Sequence, residues 1–166
     1  MPSTPETILY EEHLSSNRTT ALFAALSGIF IMLFFWVKNT SGILPVVFAV
    51  FAAIFFFYTL NYRSLRIRLT PEMLKLSFGI FTWTIPVANI ASCCLDKLPK
   101  SLEYGGAGIH FFLHNQRYRV SLNFLEYPRL VIALKKKQGS VCDVSFSTRQ
   151  PDKLLRLIQT LALNWE

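Results

Sequence analysis

Two stretches of this chain show no alternation of apolar and polar positions at all. Residues 19–37 (TTALFAALSGIFIMLFFWV) and 42–60 (GILPVVFAVFAAIFFFYTL) are apolar nearly throughout and carry no charge. As a helix each would be about 28 Å long, which matches a hydrocarbon core of about 30 Å. The intervening Lys38-Asn39-Thr40-Ser41 is long enough to reverse direction, and Pro45 falls in the first turn of the second helix, where its missing N–H costs little. The pattern predicts a two-span transmembrane hairpin. Asn39-Thr40-Ser41 matches a glycosylation acceptor but reads as the hairpin turn.

After residue 61 the period changes to two. Leu65-Arg66-Ile67-Arg68-Leu69, Leu74 to Phe78 and Phe81 to Ile85 alternate, with Gly79 between the last two and Pro86 closing the third. A further strand is expected at Ile90 to Leu95. Following a loop from Asp96 to Gly108, alternation returns at Ile109 to His114, Arg117 to Leu122, Leu130 to Lys135 and Val141 to Phe146. Seven or eight short strands imply a sandwich or small barrel. Pro151, Asp152 and the spacing of Leu154, Leu157, Ile158 and Leu161 predict a closing amphipathic helix over 151–163, placed to plug an open barrel end.

This order of elements resembles the bacterial pleckstrin-homology-like membrane proteins. The resemblance rests on LRIRLTPEMLKLSFGIFTWTIPVANI (65–90), the YGGAGI run (104–109) and STRQPDKLLRLI (147–158). It implies a membrane-anchored, mostly β protein, in which the hairpin is followed by a split β-barrel capped by a C-terminal helix. The expected organisation is an N-terminal segment over 1–18, the hairpin over 19–60, and the β domain over 61–166. The terminal helix has no tryptophan in its body, only Trp165 at the end, and no single loop gathers the basic residues of phosphoinositide-binding members. The resemblance therefore implies the fold and not that ligand.

Composition divides along the same boundary. Over all 166 residues the chain is 52% hydrophobic, 16% charged and +7. An average soluble domain has about 25% charged residues, so an ordinary soluble enzyme is disfavoured, as is disorder. Residues 61–166 hold 15 Lys and Arg against 7 Asp and Glu, a net of +8, and nine of the fifteen Phe fall in the two apolar stretches. Glu6, Glu11 and Glu12 precede the first span with only Arg18 for balance, unlike the basic start of a secretory signal. Arg63, Arg66 and Arg68 follow the second span, whereas the linker carries only Lys38, so the positive-inside bias puts both termini in the cytoplasm. Trp36, Tyr58 and Tyr62 are the expected interfacial anchors.

Candidate chemistry is sparse. Cys93, Cys94 and Cys142 are odd in number with no C-x-x-C pair, and read as reduced thiols in a cytosol-like compartment. His110 and His114 would lie about 13 Å apart on a strand, too far to share a metal. Gly105, Gly106 and Gly108 read as turn or bulge positions, since a strand follows them and not a phosphate-binding helix. Lys135-Lys136-Lys137 is expected at a hairpin tip. Together with Arg63, Arg66, Arg68, Arg117 and Arg119 it forms the candidate contact to anionic headgroups.

The expected function is an integral membrane scaffold or adaptor, without a cofactor or metal, that binds a partner protein or anionic lipid and no nucleic acid. One alternative is an assembly or stability factor for a larger membrane complex, acting through the small face of Ala21, Ala25 and Gly28 beside Ser27. A more remote one is a membrane enzyme using Asp96, Glu103 or His110.

Overall fold

The computed structural model describes residues 7–40, 42–96, 108–124 and 126–163. The chain forms two compact units: Ser15–Ser64, and Leu65–Glu166 joined by the N-terminal stretch that ends at Leu14.

The first unit contains α1 (Asn17–Val37) and α2 (Leu44–Asn61), two helices long and apolar enough to cross a membrane. Ser16 starts α1 from an extended backbone, and its hydroxyl accepts the Thr19 N–H at 3.0 Å, satisfying one of the free amides of the first turn. The helices meet through aromatic rings. Phe30 stacks on Phe51 and Phe55 at centroid distances of 5.2 and 5.4 Å, and Phe23 meets Tyr58 edge-on at 5.6 Å. Between them the buried Ser27 hydroxyl donates to the Ala52 carbonyl at 3.1 Å. A small side chain there lets the helices approach closely enough for its hydroxyl to reach the facing backbone.

The second unit is mostly β. Its first sheet has the order β1 (Tyr10–Ser15), β2 (Ser64–Leu69), β3 (Met73–Phe78), β4 (Phe81–Pro86). Leu65 pairs with Phe78 and Phe78 with Phe81, so β2 to β4 form the expected meander. Alternation sends Leu65, Ile67, Leu74, Leu76, Phe78 and Ile85 to a fully buried face, while Arg66, Lys75 and Thr84 stay exposed on the other. Strand β1 had no counterpart among the predicted elements. It precedes the helices in sequence yet pairs beside β2, and its alternation of Tyr10, Glu12 and Leu14 with Glu11, His13 and Ser15 was masked by two adjacent glutamates.

Pro86 ends β4, a 3-10 turn (Val87–Asn89) follows, and the chain enters the second sheet, ordered β5 (Ile90–Leu95), β8 (Arg129–Gln138), β9 (Val141–Ser147), β7 (Arg117–Asn123), β6 (Gly108–His114). Strands β7 and β9 are parallel and the other pairs antiparallel. The expected barrel is not closed. Strand β5 pairs with β8 and not with β4, which leaves two separate sheets. Helix α3 (Pro151–Leu163) forms where predicted, but it packs against β5, the 3-10 turn and β8, burying Leu154 and Ile158, and does not plug a barrel end.

One carboxylate ties the N-terminal strand into this unit. Glu12 accepts from the Tyr10 hydroxyl (2.7 Å), the Thr148 hydroxyl (2.6 Å) and the Arg149 N–H (2.8 Å), just before α3 begins.

Candidate functional site

Cations in the β domain fall into two classes, those neutralised internally and those left outward. Arg68 belongs to the first, paired with Glu11 at 3.0 Å on the outer face of the first sheet. A larger group occupies the second sheet. Strand pairing sets Arg119 beside Asp143, and the Asp96 N–H donates to the Arg129 carbonyl at 3.0 Å. Their side chains form an alternating row: Arg117, Asp143, Arg119, Asp96, Arg129.

Only the outer pair of this row is tight. Arg117 Nε lies 3.1 Å from both Asp143 oxygens, and Nη2 lies 2.8 Å from Oδ1, a forked contact that raises the Arg117 pKa. The inner contacts are looser: Arg119 to Asp143 at 3.9 Å, Arg119 to Asp96 at 3.7 Å, and Arg129 to Asp96 at 3.7 Å. Arg119 is 8% exposed, and its Nε and Nη1 make no hydrogen bond among the described residues. Burial pulls the Arg129 guanidinium below its ordinary pKa, and Asp96 pulls it back up. Two of the arginines considered for headgroup contact are thus committed, Arg119 inside the sheet's polar face and Arg117 to Asp143. Asp96, considered as a catalytic carboxylate, is a counter-ion between two guanidiniums.

The outward class is centred on Lys135, Lys136 and Lys137. They do not form the hairpin tip as expected. Strand β8 runs on through Gln138, and the turn is Gly139-Ser140, with Gly139 at φ +62°. An irregularity in the β8–β9 ladder between Ala133 and Gln138 spans the three lysines.

Two amide side chains hold this stretch of β8 from the side opposite β9 and from β4. Asn89 accepts the Lys136 N–H at 2.7 Å and donates to the Lys136 carbonyl at 2.9 Å, as a neighbouring strand would. Gln138 accepts the Trp83 indole N–H at 2.7 Å and donates to the Thr84 carbonyl at 2.9 Å. The lysine backbone is therefore pinned at Lys136, and the chain is held again just beyond Lys137. All three lysine side chains are exposed and have no ion pair among the described residues. Pro86, Ala88, Asn89, Lys135 and Lys136 line an open cleft of about 360 Å³ beside them. Nothing in the periodicity marked Asn89, Trp83 or Gln138 as supports, because they act across about fifty residues of sequence.

No family model, curated protein or solved structure matches this chain.

The remaining candidates are dispersed. Arg63 is exposed between α2 and β2, and Arg66 is exposed on the outer face of the first sheet. His110 and His114 are half-buried on β6, opposite Ser121 and Arg117. Gly108 opens β6 at φ +117°, while Glu103, Gly105 and Gly106 lie outside the described residues. The cysteines are free thiols, and burial pushes Cys93 up to about 12, where it is a poor nucleophile. Ala21, Ala25 and Gly28 are exposed on α1, on a face that α2 leaves uncovered, and a Cβ added at Gly28 would meet nothing within 4 Å.

Proposed function

We propose that this chain is an integral membrane scaffold whose pleckstrin-homology-like β domain engages anionic lipid headgroups at the cytoplasmic surface. The observation that carries the reading is the pinned Lys135–Lys137 segment: three consecutive exposed cations on a held backbone, without ion pairs among the described residues, in a domain where Arg68, Arg117, Arg119 and Arg129 are each matched by a carboxylate. Cations near an anionic surface contribute about 1 kcal/mol each. α1 and α2 serve as the anchor. Only 6% of each apolar window is buried, whereas a soluble core helix would be largely covered. Arg63, Arg66 and Arg68 after α2 support a cytoplasmic location for both termini. Strands followed by one terminal helix support the pleckstrin-homology-like assignment, from which the parallel β7–β9 pair departs.

Lysine acetylation footprinting of the full chain in nanodiscs tests this reading. Lys135, Lys136 and Lys137 should react several-fold more slowly with anionic than with neutral lipid, and salt should remove the difference. Equal rates in the two lipids would refute headgroup contact.

The outward small face of α1 supports a second reading, an assembly factor for a larger membrane complex. Under it, Ala25→Leu with Gly28→Leu would abolish crosslinking to a membrane partner and leave lysine protection unchanged.

A further inference from the structure

Three hairpin tips of the β domain point the same way, toward the end at which the chain enters its two apolar helices. Strand β1 ends one residue before α1 begins, and β2 starts two residues after α2 ends. The Leu9 N–H bonds the Leu69 carbonyl at 2.9 Å, so β1 runs from the Leu69 end of β2 toward its Ser64 end. Both connections to the helices therefore leave from one end of the first sheet. Leu65 opposes Phe78 and Phe78 opposes Phe81, which puts the Gly79-Ile80 tip at that same end.

The second sheet follows this direction. Passing from Lys136 to Gln138 along β8 matches passing from Asn89 back to Trp83, that is, toward Phe81. Gln138 leads into the Gly139-Ser140 tip. Because β7 and β9 are parallel, the Asn115-Gln116 tip that precedes β7 lies at the same end as the tip that precedes β9. The Trp83 and Phe111 rings, 6.5 Å apart, join the two sheets here.

This end exposes large apolar side chains: Ile80 at 70%, Phe81 at 46%, Phe111 at 64% and Leu113 at 57%. The Lys135–Lys137 segment lies alongside them. The turns at the opposite end carry Glu72 and Glu126, and the apolar side chains exposed there, Ile8, Leu9 and Leu95, are each under 45% exposed and have no lysine row beside them among the described residues. Apolar residues facing water beside a cationic row are the composition of a surface that enters the headgroup and upper acyl region of an anionic bilayer. The covalent path favours that occupant, since two residues between α2 and β2 can span only about 10 Å.

We infer that Ile80, Phe81, Phe111 and Leu113 form an apolar rim that dips into the bilayer interface, so that the domain is docked by insertion as well as by charge. This rests on the membrane-anchored reading above and adds a depth to it.

The test uses the full chain in nanodiscs. In a Cys94→Ser background, where the other two thiols are buried, the environment-sensitive fluorophore NBD is attached through Ile80→Cys, Leu113→Cys or, as a control at the opposite end, Glu72→Cys. Lipid carrying a doxyl quencher near the top of its acyl chain should quench positions 80 and 113 at least about threefold more than 72, and aqueous iodide should show the reverse order. Equal behaviour at all three positions would overturn the inference. So would shielding from iodide without quenching by lipid, which would show a second copy of the chain covering the rim. Lysine footprinting of the same variants in the same anionic nanodiscs separates the two proposals. Quenching that persists while lysine protection is absent in anionic lipid sinks the headgroup reading alone, and protection without quenching sinks insertion alone.

Discussion

The two sheets of the β domain use alternation to different ends. In the first, β2 and β3 bury one face and leave the other to water, so Arg66 and Lys75 stay exposed and Arg68 is only half-covered. In the second, β9 is buried at every position, with Val144 and Phe146 on one face and Asp143 and Ser145 on the other. A polar residue at an alternating position thus signals solvent in the first sheet and a buried charge row in the second. Burial changes what the same ion pair is worth, because a charge removed from water must be matched by its neighbours.

Asp143→Ala is the most severe way to break this contrast. It would leave Arg117 without its forked partner and remove one of the two carboxylates near the buried Arg119. Stranding a buried charge costs about 3–5 kcal/mol, and urea unfolding of the full chain in detergent micelles should show a loss of that size. A loss under about 1 kcal/mol would mean that the row is not held as an ionic network.

Glu12→Ala comes next. It removes two hydrogen bonds between β1 and the segment before α3, from the Thr148 hydroxyl and the Arg149 amide, and one within β1 from the Tyr10 hydroxyl. A loss of about 2–3 kcal/mol is expected, read by the same unfolding curve and by faster hydrogen exchange in β1. Alkaline titration of the same sheet sharpens the point. Burial, with Glu12 as a smaller contributor, raises the Tyr10 phenol from 10.0 to about 12. The folded chain keeps that proton longer than the unfolded chain, so stability is level below pH 10 and falls as pH rises through 10 toward 12. Since burial is the larger cause, Glu12→Ala should retain most of this alkaline decline.

Most element positions were legible because they follow from local periodicity. The meander, the four later strands and α3 depend on alternation, glycine turns or i, i+3, i+4 spacing, and their boundaries fall within a few residues of the pattern. What could not be read was long-range. Glu12 meets Thr148 across the whole hairpin, Asn89 substitutes for a strand at Lys136, and Trp83 is held by Gln138. The lysine triplet illustrates the limit. Its composition suggested a tip, whereas strand pairing through Gln138 and two side-chain amides place it within β8, short of the turn. Sheet partnership was equally hidden, since nothing in the β5 residues states that they pair with β8 and leave β4 open.

The smallest expected effect lies in the exposed ion pair of the first sheet. Arg68 and Glu11 meet at 3.0 Å with side chains 34% and 42% exposed, so water screens much of their attraction. A double-mutant cycle with Arg68→Ala and Glu11→Ala should yield a coupling of about 0.2–1 kcal/mol, declining with salt. The equivalent cycle for Arg117→Ala and Asp143→Ala should couple more strongly and respond less to salt, because Asp143 is only 7% exposed. Equal couplings would mean that burial of the second sheet's polar face leaves its charges as well solvated as those of the first, and the contrast between the sheets would fail.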